Sequence, residues 1–386
     1  MRVAHRVDSL PAYVFAQLGR QIRDLTAQGR DVIRLDIGSP DLPPPDSIVE
    51  ALYRSARSPA HHGYGGFYGT PELREAMATY YARRFGVELD PETQVVPLIG
   101  SKEGIANVAL AFVDPGDVVL VPDPGYPTYT RGTLLAGGVP FRFPLLAQDG
   151  FLPDLEAIPP DAAHAAKILW LNYPNNPTGV TAPLDFFERA VAFARQYDLL
   201  LCHDNPYCEV TFEGYVAPSV LQVPGASDVC LEFNSLSKSY NMAGWRVGMA
   251  VGNPAAAGAL GQIKTNVDSG IFRAIQDAAV LALDGDQTWI QERNEIYRQR
   301  RDLILATLHE LGIQASQPQA SLYVWARTPA GSTSADFAGR LLQEAGISIT
   351  PGTVFGPHGE GYLRISLGMS TERIREAMER LRRFLL

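Results

Sequence analysis

"FNSLSKSYNMAGWRVG", residues 233–248, holds a single lysine among small polar residues and glycines. Lysines normally sit on solvated faces, spaced among other charges. Lys238 instead has Ser235 and Ser237 before it, Tyr240 and Asn241 after it, and no acid close by in sequence. Neither a helical nor a strand period runs from Ser235 to Gly244. The apolar run "VCLEF" leads into the segment and "WRVGMAVG" leads out, so a strand, a tight turn and a second strand are expected there.

Working outward from it, the same alternation recurs. "QVVPLIG", "DVVLVPDPGYP", "KILWLNYPNNPTG" and "LLLCHDNPY" are strand candidates, most of them ending in turn residues, and helical patterns separate several of them. "TPELREAMATYYARRFG" is punctuated as a helix, with Thr70 as cap, Pro71 in the first turn and Gly86 at the end. "SKEGIANVALAFV" and residues 183–197 also read as helices. The last third changes character. Long helices around 275–310 precede "SLYVWAR", "ISITPG" and "GYLRISL", which look like strands of a smaller sheet. A closing amphipathic helix carries Ile374, Met378, Leu381 and Leu385 on one face. The expected fold is α/β: a large domain over 46–280 with a mostly parallel sheet, and a smaller α+β domain from 1–45 and 281–386.

Bulk properties narrow the function. The chain has 386 residues, 46% hydrophobic and 19% charged, enough for a substantial core. A net charge of −9 and a pI near 5.3 argue against nucleic acid as a partner. No apolar run is long enough to span a membrane, and "MRVAHRVDSLPAYVF" lacks a signal-peptide core. Cys202, Cys208 and Cys230 form an odd, unpatterned set, which suggests reduced thiols and a cytoplasmic protein. No C-x-x-C or H-x-x-x-H spacing occurs, so no metal site is expected.

In an open α/β sheet, ligands bind beyond the carboxyl ends of the strands. The unusual polar residues fall there: Gly100, Ser101 and Lys102; Tyr126; Asn176; Asp204 and Tyr207; Ser235, Ser237 and Lys238. Singly, each has a plain structural explanation as a cap, a turn former or an exposed charge. Together they suit a carbonyl cofactor bearing a phosphate. A lysine amine condenses with the carbonyl, serines and a helix N-terminus cradle the phosphate, and an arginine neutralises it. A buried carboxylate would keep a pyridine nitrogen protonated. Pyridoxal 5'-phosphate has all of these parts.

The S-x-S-K motif followed by G-W-R-V-G resembles the lysine signature of fold-type I pyridoxal-phosphate enzymes, specifically the class I/II aminotransferases. "NNPTG" is similar to that family's N-P-T-G turn, "DNPY" to its D-x-x-Y, and "YLRIS" to its arginine strand. The likeness runs over nearly the whole chain in the expected order. "LPAYVF", "RLDIGSPDLPPP", "PGTVFG" and the stretch from Ile99 to Tyr129 look most like the LL-diaminopimelate aminotransferase branch and its relatives. The resemblance implies an aspartate aminotransferase-like fold, with a three-layer αβα large domain.

It also implies roles. Lys238 would hold the cofactor and act as the base at the substrate's α-carbon, with Asp204 paired to the pyridinium nitrogen. Asn176 and Tyr207 would bond the ring's phenolic oxygen, and Tyr126 would stack on the ring. Ser101, Lys102, Ser235, Ser237 and Arg246 would hold the phosphate. Tyr64, in "HHGYGGFYGT", would reach the phosphate of a neighbouring subunit, which implies a homodimer with composite sites. Arg364 would bind the substrate α-carboxylate, assisted by the backbone near Gly38 and by Asn176. Lys264 is the one candidate for a second cation that would meet a distal carboxylate. The expected activity is amino transfer from an L-amino acid (L,L-diaminopimelate, aspartate, alanine or glutamate) to a 2-oxo acid. A C–S β-lyase would use the same residues, and a third reading is a regulator that keeps such a domain as its sensor.

Overall fold

The computed structural model describes residues 2–8, 10–11 and 14–386. Ala12 and Tyr13 of the "LPAYVF" stretch lie outside the described residues. Among the described residues twelve strands follow in chain order: β1 Ile33–Arg34, β2 Val95–Leu98, β3 Val118–Asp123, β4 Val139–Pro144, β5 Ala166–Asn172, β6 Leu200–Asp204, β7 Cys230–Ser235, β8 Gly248–Gly252, β9 Tyr323–Arg327, β10 Ile347–Ser348, β11 Thr350–Pro351 and β12 Tyr362–Ser366.

Seven of them build one sheet in the order β2-β8-β7-β6-β5-β3-β4. Only β8 runs against its neighbours. The sheet is therefore mostly parallel, and its strands are apolar on both sides, as burial on two faces requires. Val96, Leu98, Ile168, Trp170 and Phe233 pack with helices Ser101–Phe112 and Pro254–Val267 on one face. The alternate residues Val95, Leu169, Leu171 and Leu201 pack with helices Pro71–Phe85 and Leu184–Gln196 on the other. These are the three αβα layers. Each fully buried Leu, Val or Phe in them contributes roughly 1.5–3 kcal/mol of transfer free energy.

Local signals place the elements as read. Thr70 Oγ1 accepts the Leu73 amide, Pro71 opens the helix, and Gly86 closes it at φ 67°. Strand β4 is an addition to the reading. Its residues are largely exposed and its two prolines, Pro140 and Pro144, obscure the strand pattern, yet they are tolerated because β4 is an edge. Pro97 sits in the opposite edge strand, β2.

"ISITPG" proves to be two strands. Ile347 pairs in parallel with Ile33 in β1, while Thr350 pairs with Arg364 in β12. Strands β11, β12 and β9 form a three-stranded antiparallel sheet. Leu35, Val324, Leu363, Ile365, Ile374 and Met378 share its core, so the segment near residue 35 packs with the C-terminal third. Among the described residues no helix is long and apolar enough to cross a membrane. All three cysteines are buried and free.

Candidate active site

Strand polarity decides where the polar residues meet. β5, β6 and β7 are parallel and end at Asn172, Asp204 and Ser235. β8 runs the other way, so its first residue, Gly248, lies opposite Ser235. Arg246, two residues earlier, thereby reaches the same edge as Lys238. It does so through a left-handed backbone at φ 59°. A cavity opens there with about 1130 Å³ of empty space, part of it open to solvent. Gly38, Ser101, Lys102, Tyr126, Asn176, Asp204, Tyr207, Ser235, Ser237, Lys238, Arg246 and Arg364 all line it. Two of the residues expected at the site lie elsewhere: Tyr64, 87% exposed on its loop, and Lys264.

Lys238 stands in the helical turn Leu236–Ser239, and its Nζ donates to the Gly38 carbonyl at 2.7 Å. Burial pushes its amine down to about 8. The charges of Arg246 and Arg364 add to that shift, and Asp204 opposes it. Asp204 is buried, and desolvation lifts its carboxyl to about 6. Its Oδ2 accepts from the Tyr129 hydroxyl at 2.7 Å, while Oδ1 is buried with no hydrogen-bond partner. A buried acceptor left in that condition costs stability unless a donor arrives.

At one end of the cavity the arrangement suits an anion. The helix Ser101–Phe112 starts there with no side-chain cap. Gly100 before it has φ 75°, and a Cβ at this position would lie 2.0 Å from Arg246 Nη2, so only glycine lets the two approach. Arg246 Nη1 reaches Ser237 Oγ at 3.4 Å, and Ser235 Oγ accepts the Ser237 amide. At the other end Arg364 is fixed by Asn176 Oδ1 and the Asp36 carbonyl, each at 2.8 Å. Its guanidinium lies 4.2 Å from the Tyr323 ring centroid and 4.8 Å from that of Phe355.

Several contributors escaped the sequence reading. Tyr129 holds Asp204 and stacks on Trp170 at 4.7 Å. Asn172 accepts the Asn176 amide and donates to the Asp204 carbonyl, which fixes two site residues to each other. Tyr323 shares a hydrogen bond of 2.9 Å with Tyr207 and packs against Gly38. Arg293, from the helix Thr288–Glu310, bonds the carbonyls of Lys238, Ser239 and Glu209. Tyr129, at the i+3 position from Tyr126, was visible as an aromatic pair; the others carried no local signal. Lys264 fails as a second cation. Its Nζ is buried between Asp268 (2.7 Å) and Glu103 (3.6 Å) and does not line the cavity.

The residues fit pyridoxal phosphate on three independent counts. An amine of lowered basicity stands in the cavity, an unpartnered carboxylate oxygen awaits a ring N–H, and the uncapped helix end lies beside an arginine. Comparison with known sequences agrees: the profile of the family Aminotransferase class I and II matches residues 30–381. The chain belongs to that family. It is a pyridoxal-phosphate-dependent aminotransferase, acting on small amino and oxo acids. It is 55% identical to an LL-diaminopimelate aminotransferase of Desulforudis audaxviator, over 98% of this chain and 97% of that one. The corresponding enzyme of Moorella thermoacetica is 51% identical over 100% and 99%. Among solved structures, substrate-bound BacF from Bacillus subtilis superposes with a TM-score of 0.96 at 37% identity, covering 99% and 98% of the two chains. A Thermus thermophilus aspartate aminotransferase mutant gives 0.93 at 31% identity over the full length of both. The fold is aspartate aminotransferase-like.

Proposed function

We propose that this aminotransferase moves an amino group between L,L-diaminopimelate and a 2-oxo acid, 2-oxoglutarate or pyruvate. The observation that carries the substrate assignment is the 55% identity, over nearly the whole chain, to a relative that bears that name. In the same reading the protein is a cytoplasmic homodimer. Tyr64, exposed on its loop, would complete the partner's phosphate site. The large domain spans 46–280, and the small one spans 1–45 with 281–386.

The residue roles implied by the resemblance are supported by where the side chains lie. Bound pyridoxal phosphate supplies an electrophilic carbonyl and a cationic ring that draws electrons from the substrate's α-carbon. Lys238 Nζ would hold that carbonyl. Its lowered basicity would also suit Nζ to act as the base that removes the substrate's α-proton. Asp204 Oδ1 would accept the ring N–H and lose its unpartnered state. Asn176 and Tyr207 would donate to the ring's phenolic oxygen, and Tyr126 would cover one ring face. Ser101, Lys102, Ser235, Ser237 and Arg246 would take the phosphate. The Arg364 fork would orient the α-carboxylate, as its two fixed amino groups suggest. Ion-pair and hydrogen-bond contacts of this kind contribute about 1.5–3 kcal/mol each.

The test is the visible spectrum of the purified holoenzyme, titrated with L,L-diaminopimelate, L-aspartate, L-glutamate and L-alanine. Bleaching of the bound-cofactor band by L,L-diaminopimelate, and its recovery with a 2-oxo acid, is the expected result. A response to the other donors but not to L,L-diaminopimelate would overturn the substrate assignment and leave the family membership intact.

A further inference from the structure

Behind Asp204 lies a buried histidine–glutamate pair that the reaction does not use. His203 and Glu232 face each other across β6 and β7, both fully buried, with Nδ1 2.8 Å from Oε2. The other ring nitrogen, Nε2, lies 3.0 Å from the Tyr173 carbonyl. A carbonyl oxygen only accepts, so Nε2 carries a proton. Which way the Nδ1 contact runs depends on Glu232. Its Oε2 also receives the Val220 amide at 3.1 Å and the Ser219 hydroxyl at 2.8 Å. That hydroxyl is free to donate, because its oxygen already accepts the Leu221 amide. Oε1 receives the Tyr81 hydroxyl at 2.8 Å and the Asn205 side-chain amide at 3.4 Å. Four donors converge on this carboxyl group, a setting for the ionised form. Nδ1 must then carry a proton as well.

We propose that His203 is a fixed imidazolium, and that it serves as a positioning residue that keeps the neighbouring Asp204 ionised. Successive strand residues point to opposite faces, so the ring never enters the cavity and acts through the sheet. The low polarity there transmits its charge. The groups that face it are Glu232 from β7, the Phe187 ring at 4.6 Å from the helix Leu184–Gln196, and the Tyr173 carbonyl from the end of β5. Tyr81 lies beyond Glu232, and Asp204 follows in the chain. The ring is also a mechanical tie. Tyr173 precedes the turn that presents Asn176, and Glu232 lies three residues before Ser235, so one side chain holds the ends of three strands in place.

The inference rests on Asp204's role as proposed above, and its test separates the two. Histidine-selective ¹⁵N spectra of the holoenzyme should show one ring with both nitrogens protonated at pH 7 and at pH 8, and His203→Gln should remove that signal. If His203→Gln does not fold, neutron diffraction from the wild-type protein locates the same two protons. A ring with one bare nitrogen overturns the proposal whatever Asp204 does. The positioning role is read from the pH midpoint of the bound cofactor's visible absorption. His203→Gln removes a cation and leaves Glu232 charged, so the midpoint should rise by roughly half a unit, about threefold in proton affinity. His203→Gln/Glu232→Gln restores the local charge and should return most of that shift. A purely mechanical role predicts no such return, and equal midpoints in the single and double variants would refute the electrostatic one.

Discussion

Asp204 offers the most direct test of the site, because its burial is unfavourable until the cofactor arrives. Its carboxyl is lifted from an ordinary 3.8 to about 6, chiefly by desolvation. A folded-state value above the unfolded one means that the native state holds the extra proton between those limits. Stability from this group therefore falls as pH rises from about 4 to 6, and the full penalty applies above 6. A difference of about 2.2 units at 1.36 kcal/mol each is about 3 kcal/mol. Asp204→Asn keeps an acceptor for the Tyr129 hydroxyl and removes the charge. With an unfolding entropy of about 2.1 cal/mol/K per residue, 3 kcal/mol across 386 residues is roughly 4 °C in melting temperature. Cofactor-free Asp204→Asn should thus melt roughly 4 °C above cofactor-free wild type at pH 8, with the gap closing toward pH 4. The same variant should lose about 10³-fold in kcat, because a buried ring cation would have lost its counter-charge. Calorimetry of both apoproteins at pH 5 and pH 8, with single-turnover kinetics, measures the two halves together. Equal melting at pH 8, or near-normal turnover, would refute the reasoning.

Other expectations concern the rest of the cavity. The rate at which apoprotein takes up pyridoxal phosphate should rise with pH and level off just above 8, since the neutral Lys238 amine is the reactive form; a rise continuing to about 10.4, the ordinary lysine value, would contradict the lowered basicity. Arg364→Lys keeps the charge but loses the fork that now meets Asn176 and Asp36, so kcat/KM should drop about 10- to 100-fold for donor and acceptor alike, as steady-state kinetics with both would show. Gly100→Ala puts a methyl group 2.0 Å from Arg246 Nη2 and strains a φ of 75°, so equilibrium dialysis should show cofactor affinity weakened about tenfold or more.

The sheet was legible because parallel strands buried on both faces are apolar runs that stop abruptly at turn residues, and "VCLEF" into "SLSK" is the clearest instance. β4 was hidden for the opposite reason: an exposed edge with Pro140 and Pro144 has no apolar run to read. Most of the residues that line the cavity were legible as turn polar groups at strand ends. The residues that hold them were not. Asn172 closes an apolar strand run, Tyr323 enters from another sheet, and Arg293 lies mid-helix, more than fifty residues after the lysine turn it secures. Such contacts depend on tertiary distance, which no local pattern encodes. Lys264 shows the converse hazard, since a cation in the right region of the chain was already neutralised by Asp268 and Glu103.

Because the cavity collects residues from Arg34 to Arg364, it is complete only after a long stretch of chain beyond the lysine turn has been made. The lysine turn, Asp204 and the helix end at Ser101 can assemble once β8 has emerged, since β8 sets the position of Arg246. Arg364, proposed above to bind the substrate's carboxylate, is different. It follows Lys238 by 126 residues, on a strand that pairs with β9 and β11. With chains folding from the N-terminus as they are made, a nascent enzyme could capture its cofactor before it could recognise any substrate. The reactive carbonyl would then be held in place while the means of choosing its amine was still to come.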